Sequence, residues 1–349
     1  MYYKQVPTHA TNEGECMEME FHNTIRDADE GEWTSLVGTD HIERSHQWFR
    51  TIEDSGMTRM HYVFVRENGT LAAAACCHLF KGNRFKIPLL DVSSPLGLSS
   101  AFFCKTPHAT EMLMKGLEEI RRRERAKGIS IFELRKEGFF VLKEQLKSYI
   151  GFSMLGNTYL DLNFGNFKEY LAFLPYKARR SVKNTLKRTE KLGVSTVSTN
   201  EFARWKDVTY RLQKALCDEH NDYTLLLNKQ FYDALEKNMK DTAELLLFFK
   251  DDIPLVFALF LHSPHTTHYK FVGMDPEYRE YQAYFLSYYE IIKESIKRNK
   301  KRIFFGITTY EFKEKIGCQV EELFGLAKMK NPLLNAGLKA YITIFKAFR

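Results

Sequence analysis

The chain has 349 residues, of which 44% are hydrophobic and 27% charged, enough apolar material for one large core or two ordinary ones and too much for a disordered chain. A formal net charge of +7 gives it a mildly positive field, compatible with phosphate-bearing ligands, nucleic acid or an anionic surface. Its six cysteines, Cys16, Cys76, Cys77, Cys104, Cys217 and Cys318, show neither zinc spacing nor a disulfide framework, which implies a reduced, cytoplasmic chain.

Acids at Glu13, Glu15, Glu18 and Glu20 precede any apolar block, the wrong pattern for a secretory signal. No apolar run approaches the ~20 residues that cross a bilayer. A helical region from Asp29 to Ser55 is anchored by Trp33, Leu36, Trp48, Phe49 and Ile52. Strands follow at His61 to Val65 and Thr70 to Phe80, joined at Asn68-Gly69, a strong hairpin signal. A third strand near Phe85 to Leu90 leads to the small-residue loop Ser93 to Gly97. Next come an amphipathic basic helix from Thr110 to Lys127, a strand from Ser130 to Leu134, a short helix to Tyr149 and a strand from Ser153 to Asn163.

The second half repeats this grammar behind extra helices at Asn166 to Leu174, Tyr176 to Leu192, Glu201 to Glu219 and Asn228 to Met239. Strands at Ala243 to Lys250, Ile253 to Leu261 and Thr267 to Val272 precede a long helix from Tyr281 to Arg298. Then come the strand Arg302 to Ile307, Thr308 and Thr309, a helical turn from Tyr310, and a strand from Gln319 to Ala327. Two copies of the order hairpin, strand, long helix, strand, short helix, strand predict a duplicated α/β unit with mixed sheets. The expected division is residues 1–160 and 161–349, closely packed because no Pro, Gly or Ser-rich linker separates them.

Several segments carry a family resemblance. Thr158-Tyr-Leu-Asp-Leu162, Tyr176-Lys-Ala-Arg-Arg-Ser-Val-Lys183 and Lys191-Leu-Gly-Val194 resemble the junction of FemAB-type transferases, built from tandem acetyltransferase-like (GNAT) domains. Phe312-Lys313-x-x-Ile316-Gly317 resembles that family's F-K-x-x-[FL]-G element. Trp33 to Gly56 is similar to the start of related peptidoglycan-associated GNAT-like proteins. The resemblance implies two packed GNAT-like domains and transfer of an acyl or aminoacyl group to an amine, on a cell-wall precursor or a small metabolite. The implied donor is aminoacyl-tRNA, an acyl-CoA or an acyl carrier protein, with no permanently bound cofactor. The usual glycine-rich phosphate loop is replaced here by Gly273 to Gln282, with no glycine after Gly273, which argues against conventional coenzyme A binding.

Such a reaction needs oxyanion stabilisation and protonation of the leaving group. On the resemblance, Lys313 supplies charge and Tyr310 a proton, Phe312 and Thr308 contact substrate, and Trp33, Ser45, His46, Trp48 and Ser94 line the first-domain side. Lys177, Arg180 and Lys183, on a helix whose positions 180, 183, 187 and 191 form a basic stripe, together with Tyr278, Arg279 and Gln282, are the expected phosphate ligands. Tyr281, Tyr284, Phe285, Tyr288 and Tyr289 read as an aromatic face packed into core. No metal site is expected: His262, His265 and His268 straddle a hairpin tip without a matching carboxylate or thiol. The amphipathic segment from Pro332 to Arg349 is expected to cover the second domain, with an anionic membrane surface as its other possible partner. The competing readings are a noncatalytic RNA-binding protein using the basic helix and a peripheral membrane protein using the last one.

Overall fold

The computed structural model describes residues 17–81 and 86–347, with side chains to residue 344. The expectations placed on Glu13, Glu15, Cys16, Phe85 and the positions beyond Ile344 lie outside the described residues and side chains. The first half runs β1 (Met17–His22), α1 (Glu30–Val37), α2 (His46–Ser55), β2 (Met60–Glu67), β3 (Thr70–Phe80), β4 (Leu89–Asp91), β5 (Phe102–Phe103), α3 (Pro107–Arg123), β6 (Gly128–Leu134), α4 (Lys136–Gln145) and β7 (Ile150–Ser153). The rest runs β8 (Asn157–Asp161), α5 (Phe167–Phe173), α6 (Tyr176–Lys191), β9 (Val194–Thr199), α7 (Phe202–His220), α8 (Lys229–Met239), β10 (Ala243–Lys250), β11 (Ile253–His262), β12 (Thr266–Met274), a 3-10 turn (Pro276–Tyr281), α9 (Ala283–Lys297), β13 (Arg302–Gly306), α10 (Tyr310–Lys315), β14 (Gln319–Glu321), β15 (Phe324–Met329) and α11 (Pro332–Ala347).

Local chemistry sets many of these boundaries. Asn68 and Gly69 both take positive φ, 50° and 80°, and close the β2–β3 hairpin as a primed turn. Asp29 caps α1 by accepting from the Gly31 and Glu32 N–H groups, and Gly56 ends α2 in the left-handed region. The helical region expected over Asp29 to Ser55 is thus two helices.

Strand order shows how the halves are related. The first sheet runs β1-β2-β3-β4-β6-β15-β7, with β5 also pairing β3, and the second runs β9-β10-β11-β12-β13-β8-β14. Each has one parallel pair in the same place, β4 with β6 and β12 with β13, and antiparallel neighbours elsewhere. The two units are the same wiring, except that each contributes one strand to the other's sheet. β8 leaves the first half to pair with β13 and β14, while β15 comes back from the C-terminal end to lie between β6 and β7.

This exchange corrects two expected strands. The run expected at Ser153 to Asn163 ends one strand in the first sheet and supplies a separate one to the second; that at Gln319 to Ala327 divides between the second and the first. A cut at residue 160 falls inside β8. At the crossing, Gly156 approaches so closely that a Cβ would lie 2.4 Å from Val320 Cγ1 and 2.8 Å from the Glu321 carbonyl oxygen.

The units also share a core. Trp33, Trp48, Phe49 and Phe64 of the first half join Phe231, Tyr232, Phe257 and Phe271 of the second in one buried cluster, with the Trp48 and Phe231 rings edge to face at 6.1 Å. The last helix departs from expectation: α11 packs on β15 and so covers the first sheet rather than the second. No helix among the described residues is long and apolar enough to cross a membrane.

Candidate functional site

The parallel pair of the second sheet is short. β12 and β13 are in register only from Thr266 to His268 against Arg302 to Phe304, and β12 then continues to Met274 with no ladder partner on that side. A cavity of about 650 Å³ opens at this divergence, walled by α7 (Gln213, Cys217, His220), β12 (Lys270 to Val272 and Met274), the first turn of α9, and Thr308 and Thr309. Mouths of diverging parallel strands are the usual place for ligands in such sheets.

Three local features shape the cavity. Gly273 lets β12 touch α7: a Cβ there would lie 2.3 Å from Phe257 Cε1 and 2.5 Å from the Gln213 backbone nitrogen. Gln282 adopts φ 55° and turns the 3-10 segment into α9, whose first turn lines the cavity and has no side-chain cap. That helix end is electropositive and suited to an anion. Beside it Arg279 reaches α7, its Nη2 donating to Glu219 Oε2 at 2.5 Å with the guanidinium half-exposed.

At the other end Lys270 is buried against Glu43 of the first unit and lies over the Trp48 and Phe271 rings at 5.3 and 5.4 Å. Glu43 also accepts the Leu98 N–H at 2.7 Å, and His268 Nδ1 is 3.8 Å away. Burial pushes the Glu43 carboxyl up, but Lys270 and then His268 outweigh it and hold it well below the usual carboxylate range. The pair locks the two units at the cavity floor.

The expected site residues do not all meet at this cavity. Tyr278, Arg279, Gln282 and Thr308 line the cavity together. Phe312 stands behind it, 4.9 Å from the ring of Phe285, a lining residue. Lys313 and Tyr310 do not line it. Lys313 is fully buried, and its Nζ donates to the carbonyls of Phe305 (2.5 Å) and Gly306 (3.3 Å), tying down the end of β13. Burial lowers its pKa to about 8, with Cys318 opposing. Tyr310 Oη donates to the Gly156 carbonyl at 2.6 Å, where the strands cross between units. Both side chains hold the mouth in shape from behind.

The first-unit group is structural. Trp33 Nε1 donates to the Arg44 carbonyl, Ser45 caps α2 by accepting from the Trp48 N–H, and the His46 ring donates to the Ile25 carbonyl at 2.9 Å. Trp48 Nε1 donates to Ser94 Oγ at 2.9 Å, and Ser94 Oγ to the Glu43 carbonyl at 2.6 Å. These groups face core and fix the loop bearing Glu43. Lys177, Arg180 and Lys183 are exposed on α6, away from the cavity lining. None of the seven basic residues of α6 forms an ion pair among the described residues, whereas Arg121, Arg122 and Arg123 of α3 are all paired with glutamates of their own helix.

Of the aromatic face of α9, Tyr288 and Tyr289 are core, while Tyr284 and Phe285 line the cavity. His262 is engaged by Glu244 at 3.1 Å and His268 packs on Phe304 at 4.9 Å. Sequence reasoning passed over Lys270, whose one signal was a lone charge inside the apolar run His268-Tyr-Lys-Phe-Val272. It also passed over Glu43, Cys217 and His220, which have no distinguishing local pattern.

Residues 176–314, which contain every residue lining this cavity, match the acetyltransferase (GNAT) domain family. The structure superposes on FemX with a TM-score of 0.64 at 15% identity, covering 92% of this chain and 100% of that one. The chain has the tandem GNAT fold. A tandem GNAT protein from the clavulanic acid biosynthesis pathway superposes with a TM-score of 0.54 at 12% identity, covering 90% and 99% of the two chains. The C-terminal domain of a putative lysylphosphatidylglycerol synthetase from Agrobacterium fabrum gives 0.55 at 13% identity, covering 90% and 97%. These likenesses support the FemAB-like tandem GNAT resemblance at the level of fold. Among curated sequences, a putative 8-amino-7-oxononanoate synthase 2 of Mycobacterium tuberculosis is 27% identical over 172 residues, 48% of this chain, and the chain spans only 22% of that relative's length.

Proposed function

We propose that the chain is an N-acyltransferase whose second-unit cavity takes an activated acyl or aminoacyl donor and passes the acyl group to an amine. The observation that carries this reading is the cavity at the β12–β13 divergence, inside the GNAT-matched region, lined by the uncapped first turn of α9, Arg279, Thr308 and Thr309. A donor phosphate would lie at the first turn of α9 beside Arg279, and the reacting carbonyl along the unpaired edge of β12. Main-chain N–H groups on that edge would receive the oxyanion. Catalysis would rest on positioning and electrostatics, with no covalent enzyme intermediate. Lys313 and Tyr310 would serve as positioning residues that keep β13 and the crossing loop in place.

The donor is an ester or thioester on aminoacyl-tRNA, coenzyme A or a carrier protein. The unpaired cationic face of α6 supports a polyanionic carrier and is also what a noncatalytic RNA-binding protein would show. Surface association through α11 is supported by Leu333 and Ile344, 82% and 57% exposed, beside the exposed Lys339. The test is incubation with each donor class bearing a labelled acyl group and a panel of amines, read by mass spectrometry. A labelled amide from one class is the expected result. Tight, steeply salt-dependent RNA binding with no amide from any class would favour the noncatalytic reading.

A further inference from the structure

The first unit holds a second cavity, of about 640 Å³, where the sheet meets α11. Its walls are mostly apolar, with Leu98, Phe152, Ile307, Leu338 and Ile342 beside the hydroxyl-bearing Ser153 and Tyr341, and Glu133 is the one acidic residue lining it. Glu133 is at the end of β6 with φ 58°, a left-handed conformation that side chains other than glycine seldom take. Its carboxyl makes no hydrogen bond or ion pair among the described residues. Burial raises its pKa to about 8, Asp91 of β4 and Glu43 add to the rise, and Lys270 of β12 opposes it.

This cavity and the donor cavity flank one chain segment. Ile307 lines the first-unit cavity, while the next two residues, Thr308 and Thr309, line the other. Glu43 links their walls, accepting from Leu98 of one and pairing with Lys270 of the other. A mostly apolar cavity lined by one acidic residue, whose carboxyl has no partner among the described residues, suits a ligand with an apolar body and a cationic head.

We propose that the first-unit cavity is the acceptor site, taking a primary amine on an apolar chain or ring, with its ammonium against Glu133 and its body along α11. Binding does not depend on the acyl-transfer reading, but the fate of the amine does. In that reaction the ammonium gives a proton to the Glu133 carboxylate and the freed nitrogen lone pair attacks the donor carbonyl. The C–N bond forms, the C–O or C–S bond to the carrier breaks, and the carrier oxygen or sulfur leaves with the electron pair and takes the second nitrogen proton. Glu133 keeps that proton in the free protein and gives it up to solvent when the next amine binds. A carboxyl with a raised pKa lies closer to an ammonium in proton affinity, so the transfer is less uphill.

The probes are n-octylamine and its neutral counterpart n-octanol, titrated calorimetrically at pH 7 in buffers of different ionisation enthalpy. The expected result is at least tenfold preference for the amine, with release of close to one proton as Glu133 ionises. E133Q should abolish both the preference and the release, and I342W, which fills the far wall, should weaken both ligands. Equal binding of amine and alcohol to the unmodified protein, which needs no variant, overturns the proposal, as does a preference that survives in folded E133Q. Amine preference in a protein that acylates nothing would retain this site and sink the transferase reading. Acyl transfer with the preference intact in E133Q would do the reverse.

Discussion

Replacing Lys313 with methionine isolates a buried charge at the end of β13. The side chain is fully buried, and its pKa falls from 10.5 to about 8 because burial disfavours the ammonium. At about 1.4 kcal/mol per unit, holding it protonated at neutral pH costs roughly 3 kcal/mol. The same ammonium satisfies the Phe305 and Gly306 carbonyls, and each left buried without a donor would cost about 1–3 kcal/mol. K313M should therefore differ from the unmodified protein by only about 2 kcal/mol at pH 7. Between pH 8 and 10.5 the unfolded chain keeps a lysine proton that the folded protein has lost. Stability contributed by Lys313 consequently rises with pH through that window, and K313M lacks the rise. Urea unfolding of both proteins at pH 7, 9 and 10.5 should show K313M falling behind by up to roughly 3 kcal/mol, other titrating groups cancelling in the difference. A gap that stays constant across the window would refute the lowered pKa and the burial argument with it.

At Gly273, alanine would force α7 away from β12, because its Cβ would meet the Gln213 backbone as well as the Phe257 ring. A loss of about 1–3 kcal/mol in urea unfolding is expected, together with weaker ligand binding in the second-unit cavity. E43Q would leave Lys270 buried without its counter-ion, a loss of about 3–5 kcal/mol at neutral pH. Since the folded pKa of Glu43 is depressed, its contribution is fully present above the unfolded value and disappears as pH falls through the folded one. The penalty of E43Q, measured by unfolding from pH 7 to 3, should therefore shrink only at the acid end.

The duplicated α/β plan was legible because hydrophobic period and turn chemistry are local: Asn68-Gly69 marks a hairpin wherever its strands go. The reciprocal exchange was not legible, because β7 with β8, and β14 with β15, read as continuous apolar runs whose sheet membership depends on partners far away in sequence. Tyr278, Arg279, Gln282 and Thr308, expected together from the sequence, do line one cavity, the first three because they lie close together in the chain. The expected roles of Trp33, His46 and Trp48 gave way to core packing, since an aromatic residue beside a polar loop looks the same in sequence whether it faces ligand or another ring. Glu43 and Lys270 are 227 positions apart, and only the shared core between the units brings them together.

The central claim is that the cavity of the second unit holds the acyl donor. Native mass spectrometry with acyl-CoA, aminoacyl-tRNA and acyl carrier protein, on the unmodified protein, on V272W with that cavity filled, and on E133Q, tests it most directly. The account predicts that one donor class binds the unmodified protein and E133Q alike and is lost from folded V272W. Donor binding that persists in V272W, or no binding by any of the three classes, would contradict it.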